Sequence, residues 1–242
     1  MTRVAIVTGG SGGIGQASAL KLAQDGMAVV VHYGGNRATA DETVETITKA
    51  GGKAIAVQAD ITEPKSVEAL FDRAEQEFGG VDVVVHTAGI MNQPTPLVDV
   101  DFEELDRVHR VNIRGTFAVA QQAARRVRGG GAIVLFSTSV LGLNHPGYTV
   151  YNATKGAAEA MIMILAKELR GRDITVNAVA PGPTATKLFL DGKDEETVSR
   201  LANMAPLERL GQPDDIAEAV AFLGGPARWI NGQVLRANGG IA

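Results

Sequence analysis

The stretch that decides the fold is VAIV at 4–7, TGGSGGIG at 8–15 and QASALKLAQDG at 16–26. Four apolar residues, three of them β-branched, read as a buried strand. The glycine-rich turn after it opens a helix with Ile14, Ala17, Ala19, Leu20 and Ala23 on its apolar face. Glycines let the chain turn sharply and let backbone N–H groups approach an anion, while the positive end of the helix dipole faces the same point. Gly9, Gly13 and Gly15 stand as T-G-x-x-x-G-x-G rather than as G-x-G-x-x-G, with Ser11 and Ile14 inside the turn. Out of context such a run is only a tight turn. Between a buried strand and a helix it reads as the seat of a dinucleotide pyrophosphate.

The 242 residues are 45% hydrophobic and 21% charged, carry a net charge of −4 and include no cysteine. That composition supports a large core and excludes a disulfide framework, a thiolate metal site and a thiol nucleophile. No basic run addresses nucleic acid or an anionic membrane. The Arg125-Arg126-Val127-Arg128 cluster falls where a helix ends, a position that favours cations. No apolar run reaches membrane-spanning length, and the chain enters its first strand directly. The expectation is a cytoplasmic protein with a small-molecule substrate and no nucleic-acid, membrane or metal partner.

Beyond the first unit, strands are predicted at 27–33, 53–58, 81–86, 132–136, 174–180 and 233–235. Helices are predicted at 37–50, from Thr62 as cap to 78, from 102 past Asn112 to 127, at 151–169 and at 214–223. Strands alternating with helices require crossovers. The fold class is therefore α/β, a doubly wound Rossmann-type fold with a seven-stranded parallel sheet and helices on both faces, built as one domain over 1–242. A proline-rich segment at about 183–206 breaks the rhythm and reads as a substrate loop. Ligand belongs at the carboxyl ends of the strands, where 8–15, 86–90, 137–140 and 181–186 converge.

Tyr151 and Lys155 stand four apart on a helix and point the same way. A tyrosine acting as acid or base at neutral pH must be shifted by about 3 units, about 4 kcal/mol. An ammonium about 4 Å away supplies about 4 kcal/mol at an effective dielectric near 20. Ser137, Thr138 and Ser139, just past the fifth strand, offer a hydroxyl for a carbonyl oxygen. Asn112, in an apolar helical run, is either a structural hydrogen-bond bridge or a holder of water.

These motifs, in this order and spacing, resemble the short-chain dehydrogenase/reductase family in its shorter, 3-oxoacyl-carrier-protein-reductase-like branch. They are Thr8-Gly9-x-x-x-Gly13-x-Gly15, Asp60-Ile61, Ala88-Gly89, Asn112, a serine after strand five, Tyr151-x-x-x-Lys155 and Pro181-Gly182. The resemblance implies a nicotinamide cofactor and hydride transfer between it and a carbonyl or secondary alcohol. It implies Tyr151 as proton donor or acceptor, with Lys155 lowering its pKa and binding the nicotinamide ribose. It also implies a serine polarising the carbonyl, Asn112 holding a relay water, Asp60 and Ile61 at the adenine, Ala88 and Gly89 at the adenine ribose, and Pro181, Gly182, Thr184 and Thr186 at the carboxamide. A homotetramer, or a homodimer, is the implied assembly.

Two departures stand out. The family has Asn-Asn-Ala-Gly after strand four where this chain has His86-Thr87-Ala88-Gly89, so the hydrogen bonds of the first asparagine are replaced or lost. The serine is ambiguous: the commonest spacing, thirteen residues before the tyrosine, falls on Thr138, whereas the local pattern Thr138-Ser139-Val140-x-Gly142 fits Ser139, the position favoured. For the cofactor, strand two runs out as His32-Tyr33-Gly34-Gly35-Asn36-Arg37 without the carboxylate that binds the NAD ribose and repels a 2′-phosphate. With Arg37, Asn36 and Tyr33 as candidate contacts, NADP(H) is expected over NAD(H). The alternatives are an NAD-dependent alcohol dehydrogenase of the same family and a catalytically silent dinucleotide-binding regulator.

Overall fold

The computed structural model describes residues 2–242. Its seven strands are β1 Val4–Thr8, β2 Ala28–Tyr33, β3 Lys53–Gln58, β4 Val81–His86, β5 Val127–Phe136, β6 Thr175–Pro181 and β7 Val234–Ala237. They form one parallel sheet in the order β3-β2-β1-β4-β5-β6-β7. The order reverses between β1 and β4, which opens a crevice at their carboxyl ends. The helices are α1 Gly13–Gln24, α2 Arg37–Lys49, α3 Pro64–Phe78, α4 Phe102–His109, α5 Gly115–Arg126, α6 Val140–Leu143, α7 Thr149–Glu168, α8 Lys187–Leu190, α9 Glu195–Ala202 and α10 Pro213–Gly224.

Both faces of the sheet are covered, which is why its strands read as unbroken apolar runs. Alternate residues enter two cores. Ile6, Val30 and Val84 pack with Phe71 of α3, Val119 of α5 and Ile162 of α7. Val7, Val31 and Val85 pack on the other side with Leu22 of α1, Ile47 of α2 and Val220 of α10.

Local differences from the sequence reading have physical causes. In α1, Ala17, Ser18, Ala19 and Leu22 are buried, whereas Ile14, Leu20 and Ala23 are half-buried at the seams with neighbouring elements. Glu63, not Thr62, is the N-cap of α3, with Pro64 at its first position. β5 begins at Val127 because the β4–β5 register shifts between Val81 and Val83, and the glycines at 129–131 lie inside the irregular strand. A Cβ on Gly131 would sit 2.4 Å from the Asp82 carbonyl oxygen, so only glycine passes there. The helix expected to run unbroken past Asn112 is two helices joined by a π-helical turn, Arg110–Arg114, with Asn112 at its centre.

His86, at the position where the family resembled has asparagine, is 2% exposed and uses both ring nitrogens in hydrogen bonds. Its Nδ1 lies 2.8 Å from Thr8 Oγ1 and its Nε2 3.0 Å from Thr116 Oγ1. The Thr116 hydroxyl donates its proton to the Asn112 carbonyl oxygen at 2.6 Å, so it accepts from His86 Nε2–H, and Nδ1 accepts from Thr8. Burial, with the Lys155 charge nearby, lowers the His86 pKa from 6.5 to about 3. Between those values the unfolded chain binds a proton that the native protein does not. Stability is therefore lost as pH falls below 6.5, at about 1.4 kcal/mol per pH unit from this residue. Denaturant titrations from pH 7 to 4 should show His86→Asn with a shallower slope by about that amount; equal slopes would contradict a neutral buried His86.

Candidate active site

The stretches at 8–15, 86–90, 137–140 and 181–186 meet at the crevice, as the alternation of strands and helices requires. Ile14, Gly89, Thr138, Tyr151, Lys155 and Thr186 all line one cleft there.

On its left wall, the glycine turn is held by β2. The Gly9 N–H donates to His32 Nδ1 at 3.1 Å, and His32 Nε2–H donates to the Ala59 carbonyl at 3.0 Å. His32 thus anchors the turn, a role its place in an apolar run does not disclose. Gly9 has φ +69° and Gly13 φ +50°, and a Cβ on Gly15 would lie 2.1 Å from the Gly9 carbonyl oxygen. Gly12, the N-cap of α1, supplies no side-chain acceptor, so the first N–H groups of the helix are left for a ligand. Ser11 is half-buried beside them. Thr186 leans over the turn: a Cβ on Gly13 would stand 3.1 Å from its methyl carbon.

A second groove runs toward β3 between Gly9, His32, Gly34, Asp60, Ile61 and Ala88. The Asp60 N–H donates to Ser66 Oγ at 2.9 Å, and Asp60 Oδ1 accepts the Thr62 N–H at 2.8 Å. Tyr33 corrects the sequence reading. It is 6% exposed and packs in the core with α1 and α2, because the strand alternation turns it away from the groove. Asn36 caps α2, its Oδ1 accepting the Thr39 N–H at 3.3 Å. Arg37 is exposed, with Nε 3.2 Å from Asp41 Oδ2, and its other nitrogens have no partner among the described residues.

The other wall is built by β5 and α7. Lys155 is 9% exposed, and its Nζ donates to the Phe136 carbonyl at 3.2 Å. Ser137 Oγ donates to Glu159 Oε1 at 2.5 Å, one turn further along α7. Thr138 Oγ1 accepts the Val140 N–H at 3.3 Å, and its side chain lowers the Tyr151 phenol pKa. Ser139 is turned away: its Oγ donates to the Ala180 carbonyl at 3.1 Å and accepts from Asn238 Nδ2 at 3.0 Å. Thr138, Ser139 and Tyr151 all line the cleft.

Asn112 bridges two elements. Its Oδ1 accepts the Ile90 N–H at 2.9 Å, and its Nδ2 donates to the Ile90 carbonyl at 2.8 Å and to Thr154 Oγ1 at 3.2 Å. Thr154 in turn donates to the Tyr151 carbonyl at 2.7 Å. One amide joins the β4 loop to the first turn of α7. On the far side, Thr184 Oγ1 donates to the Gly182 carbonyl at 2.9 Å, fixing the chain after Pro181.

Electrostatics also depart from the sequence estimate. Lys155 Nζ stands 5.7 Å from the Tyr151 ring centroid. Burial pushes the Tyr151 phenol up to about 12, against a smaller lowering by Thr138. Burial likewise lowers Lys155 from 10.5 to about 8. The ammonium has three donors and one acceptor among the described residues, so two N–H groups face the cleft. With the glycine cradle and the uncommitted amides of α1, these residues fit a dinucleotide with ribose hydroxyls near Lys155.

Holding the Lys155 charge costs the native protein about 3 kcal/mol at neutral pH. Between pH 8 and 10.5 the unfolded chain keeps a proton that the native one has released, so the penalty fades as pH rises. Lys155→Met should be more stable than the cofactor-free parent at pH 7, with the advantage shrinking toward pH 10.5. A stability difference that does not change with pH would contradict the buried charge.

Comparison with known proteins agrees with this geometry. The family described as Enoyl-(Acyl carrier protein) reductase matches residues 9–242. A short-chain type dehydrogenase/reductase of Picea abies is 45% identical over 248 residues, covering 98% of this chain and 92% of the relative. An NADPH-dependent aldehyde reductase-like protein of Arabidopsis thaliana, named as chloroplastic, is 42% identical over 252 residues, covering 98% and 93%. The crystal structure of a short chain dehydrogenase from Burkholderia cenocepacia in complex with NADP superimposes with a TM-score of 0.92 at 37% identity, covering 99% and 97%. The chain belongs to the short-chain dehydrogenase/reductase family.

Proposed function

We propose that this protein is an NADP(H)-dependent oxidoreductase interconverting a carbonyl compound and its alcohol, with Tyr151 as general acid/base. The observation that carries the proposal is the convergence of the Tyr151 phenol, the Thr138 hydroxyl and the buried Lys155 ammonium on one wall of a cleft. When bound, the nicotinamide supplies the two-electron chemistry, giving hydride to the carbonyl carbon or taking it from the alcohol. Thr138 holds the carbonyl oxygen by a hydrogen bond. Tyr151 O–H gives that oxygen its proton in reduction and takes it back in oxidation. Lys155 stabilises the phenolate left behind. Asn112 keeps Ile90 and the start of α7 in place and acts through them.

The missing carboxylate at the end of β2 supports NADP(H), as do the cofactors named for the Arabidopsis relative and the Burkholderia structure. Arg37, exposed and only partly engaged by Asp41, is the cation we assign to the 2′-phosphate. We assign a homotetramer to the chain. It is supported by the exposed Phe117 of α5 and Met163 and Ile164 of α7, apolar groups on helices already packed to the sheet. No helix among the described residues is long and apolar enough to cross a membrane, and the cytoplasm is the compartment we propose.

Cofactor titration followed by steady-state turnover tests the proposal. Tyr151→Phe should bind NADPH as the parent does and lose at least ~10²-fold in turnover, the scale of general acid catalysis. Arg37→Ala should weaken NADPH about tenfold, the scale of one charge-assisted hydrogen bond, and leave NADH unchanged. Tighter binding of NADH than of NADPH by the parent, or turnover of Tyr151→Phe within a few-fold of it, would overturn the assignment.

A further inference from the structure

The wall of the cleft opposite Tyr151 comes from the segment after β6, and it carries a charge that the reaction above does not use. Lys193 lines the cleft, half-buried, three residues past the end of α8. Its Nζ donates to the Phe189 carbonyl at 2.5 Å and stands 4.7 Å over the Phe189 ring, which places the ammonium at the cleft wall. An ammonium has three donors, and this one spends a single one on protein. No carboxylate among the described residues lies within 4.0 Å of it, although Asp191, Asp194, Glu195 and Glu196 are close in sequence. Asp194 is committed elsewhere, its Oδ1 accepting the Thr197 N–H at 2.8 Å.

The rest of the lining sharpens the point. Among the described residues no aspartate or glutamate lines the cleft, and the charged side chains that do are Lys155 and Lys193. Between them lie Met91, Leu143, Leu188, Phe189, Leu201 and Met204, an apolar wall suited to a flat or branched hydrocarbon body. In such surroundings a lone ammonium keeps more of its strength than in water and favours an anion over a neutral isostere.

We propose that the cleft selects carbonyl substrates that carry a carboxylate on the part of the molecule remote from the reacting carbon, with Lys193 as its partner. The carbonyl oxygen is at Thr138 and Tyr151, the apolar body lies along the wall, and the carboxylate meets the Lys193 ammonium on the loop side. The proposal rests on the carbonyl-reductase reading above and adds the chemistry of the far end of the substrate.

The experiment pairs 4-carboxybenzaldehyde with its methyl ester as substrates, with NADPH, for the parent, Lys193→Met and Lys193→Arg. Comparing the carboxylate/ester ratio of kcat/KM across variants cancels the intrinsic reactivity of the two aldehydes. Lys193→Met should lower kcat/KM for the carboxylate about tenfold, the scale of one charge-assisted hydrogen bond, and leave the ester within twofold. Lys193→Arg should recover most of the loss, and added salt should depress the carboxylate reaction in the parent but not in Lys193→Met. Equal loss on both substrates would overturn the proposal and make Lys193 a brace of its own loop through the Phe189 carbonyl. No loss on either would overturn it as well. A parent that reduces neither aldehyde refutes the redox reading instead. Calorimetry of benzoate against benzamide on the parent and Lys193→Met then decides the anion site, which fails if benzoate shows no dependence on Lys193.

Discussion

A buried ammonium with one protein acceptor is the constraint around which this site is arranged. Lys155 reaches the Phe136 carbonyl from α7 and ties the exit of β5 to the helix that carries Tyr151. Its remaining donors face the cleft, where the described residues place no carboxylate. A core group of this kind lowers stability unless something else satisfies it. On the proposed reading, the ribose hydroxyls of a dinucleotide would supply what the protein withholds, so the charge would destabilise the free protein and favour the bound one.

The same exit strand is held at successive residues. Phe136 takes Lys155, Ser137 takes Glu159, and Thr138 faces Tyr151. A second set of bonds fixes α7 from the opposite side. Protons are donated in one direction from Thr8 to His86, from His86 to Thr116, and from Thr116 to the carbonyl of Asn112. That carbonyl lies in the π-helical turn, and the Asn112 amide clamps Ile90 and reaches Thr154. Tyr151 is therefore positioned by two polar networks that meet on α7.

Much of this is legible in the residues. Strands buried on both faces leave continuous apolar runs such as VAIV and VDVVVH, and a glycine turn between such a run and a helix has few other uses. The i, i+4 pair Tyr151 and Lys155 shares one helix face whatever surrounds it. What escapes the sequence depends on orientation. A single π-turn adds one residue to a helical turn, too little to disturb the apolar spacing around Asn112. Ser139 and Thr138 are neighbours in a strand exit, so a loop one residue shorter exchanges which of them faces Tyr151. Tyr33 and His32 occupy alternate faces of β2, and only the pairing of the whole sheet says which one meets the glycine turn. The distance from Lys155 to Tyr151 depends on the Phe136 carbonyl, an acceptor that no side-chain pattern reveals.

Without cofactor, burial outweighs the lowering by Thr138 and pushes the Tyr151 phenol up to about 12. The central claim is that the completed site brings that proton within reach of neutral pH. The measurement is the tyrosinate absorbance near 295 nm, titrated from pH 6 to 11 and taken as the difference between the parent and Tyr151→Phe, with and without NADP+. The account predicts no Tyr151 titration in that range for the free protein and a titration displaced downward by several units when NADP+ is bound. The same curve in both forms would contradict it.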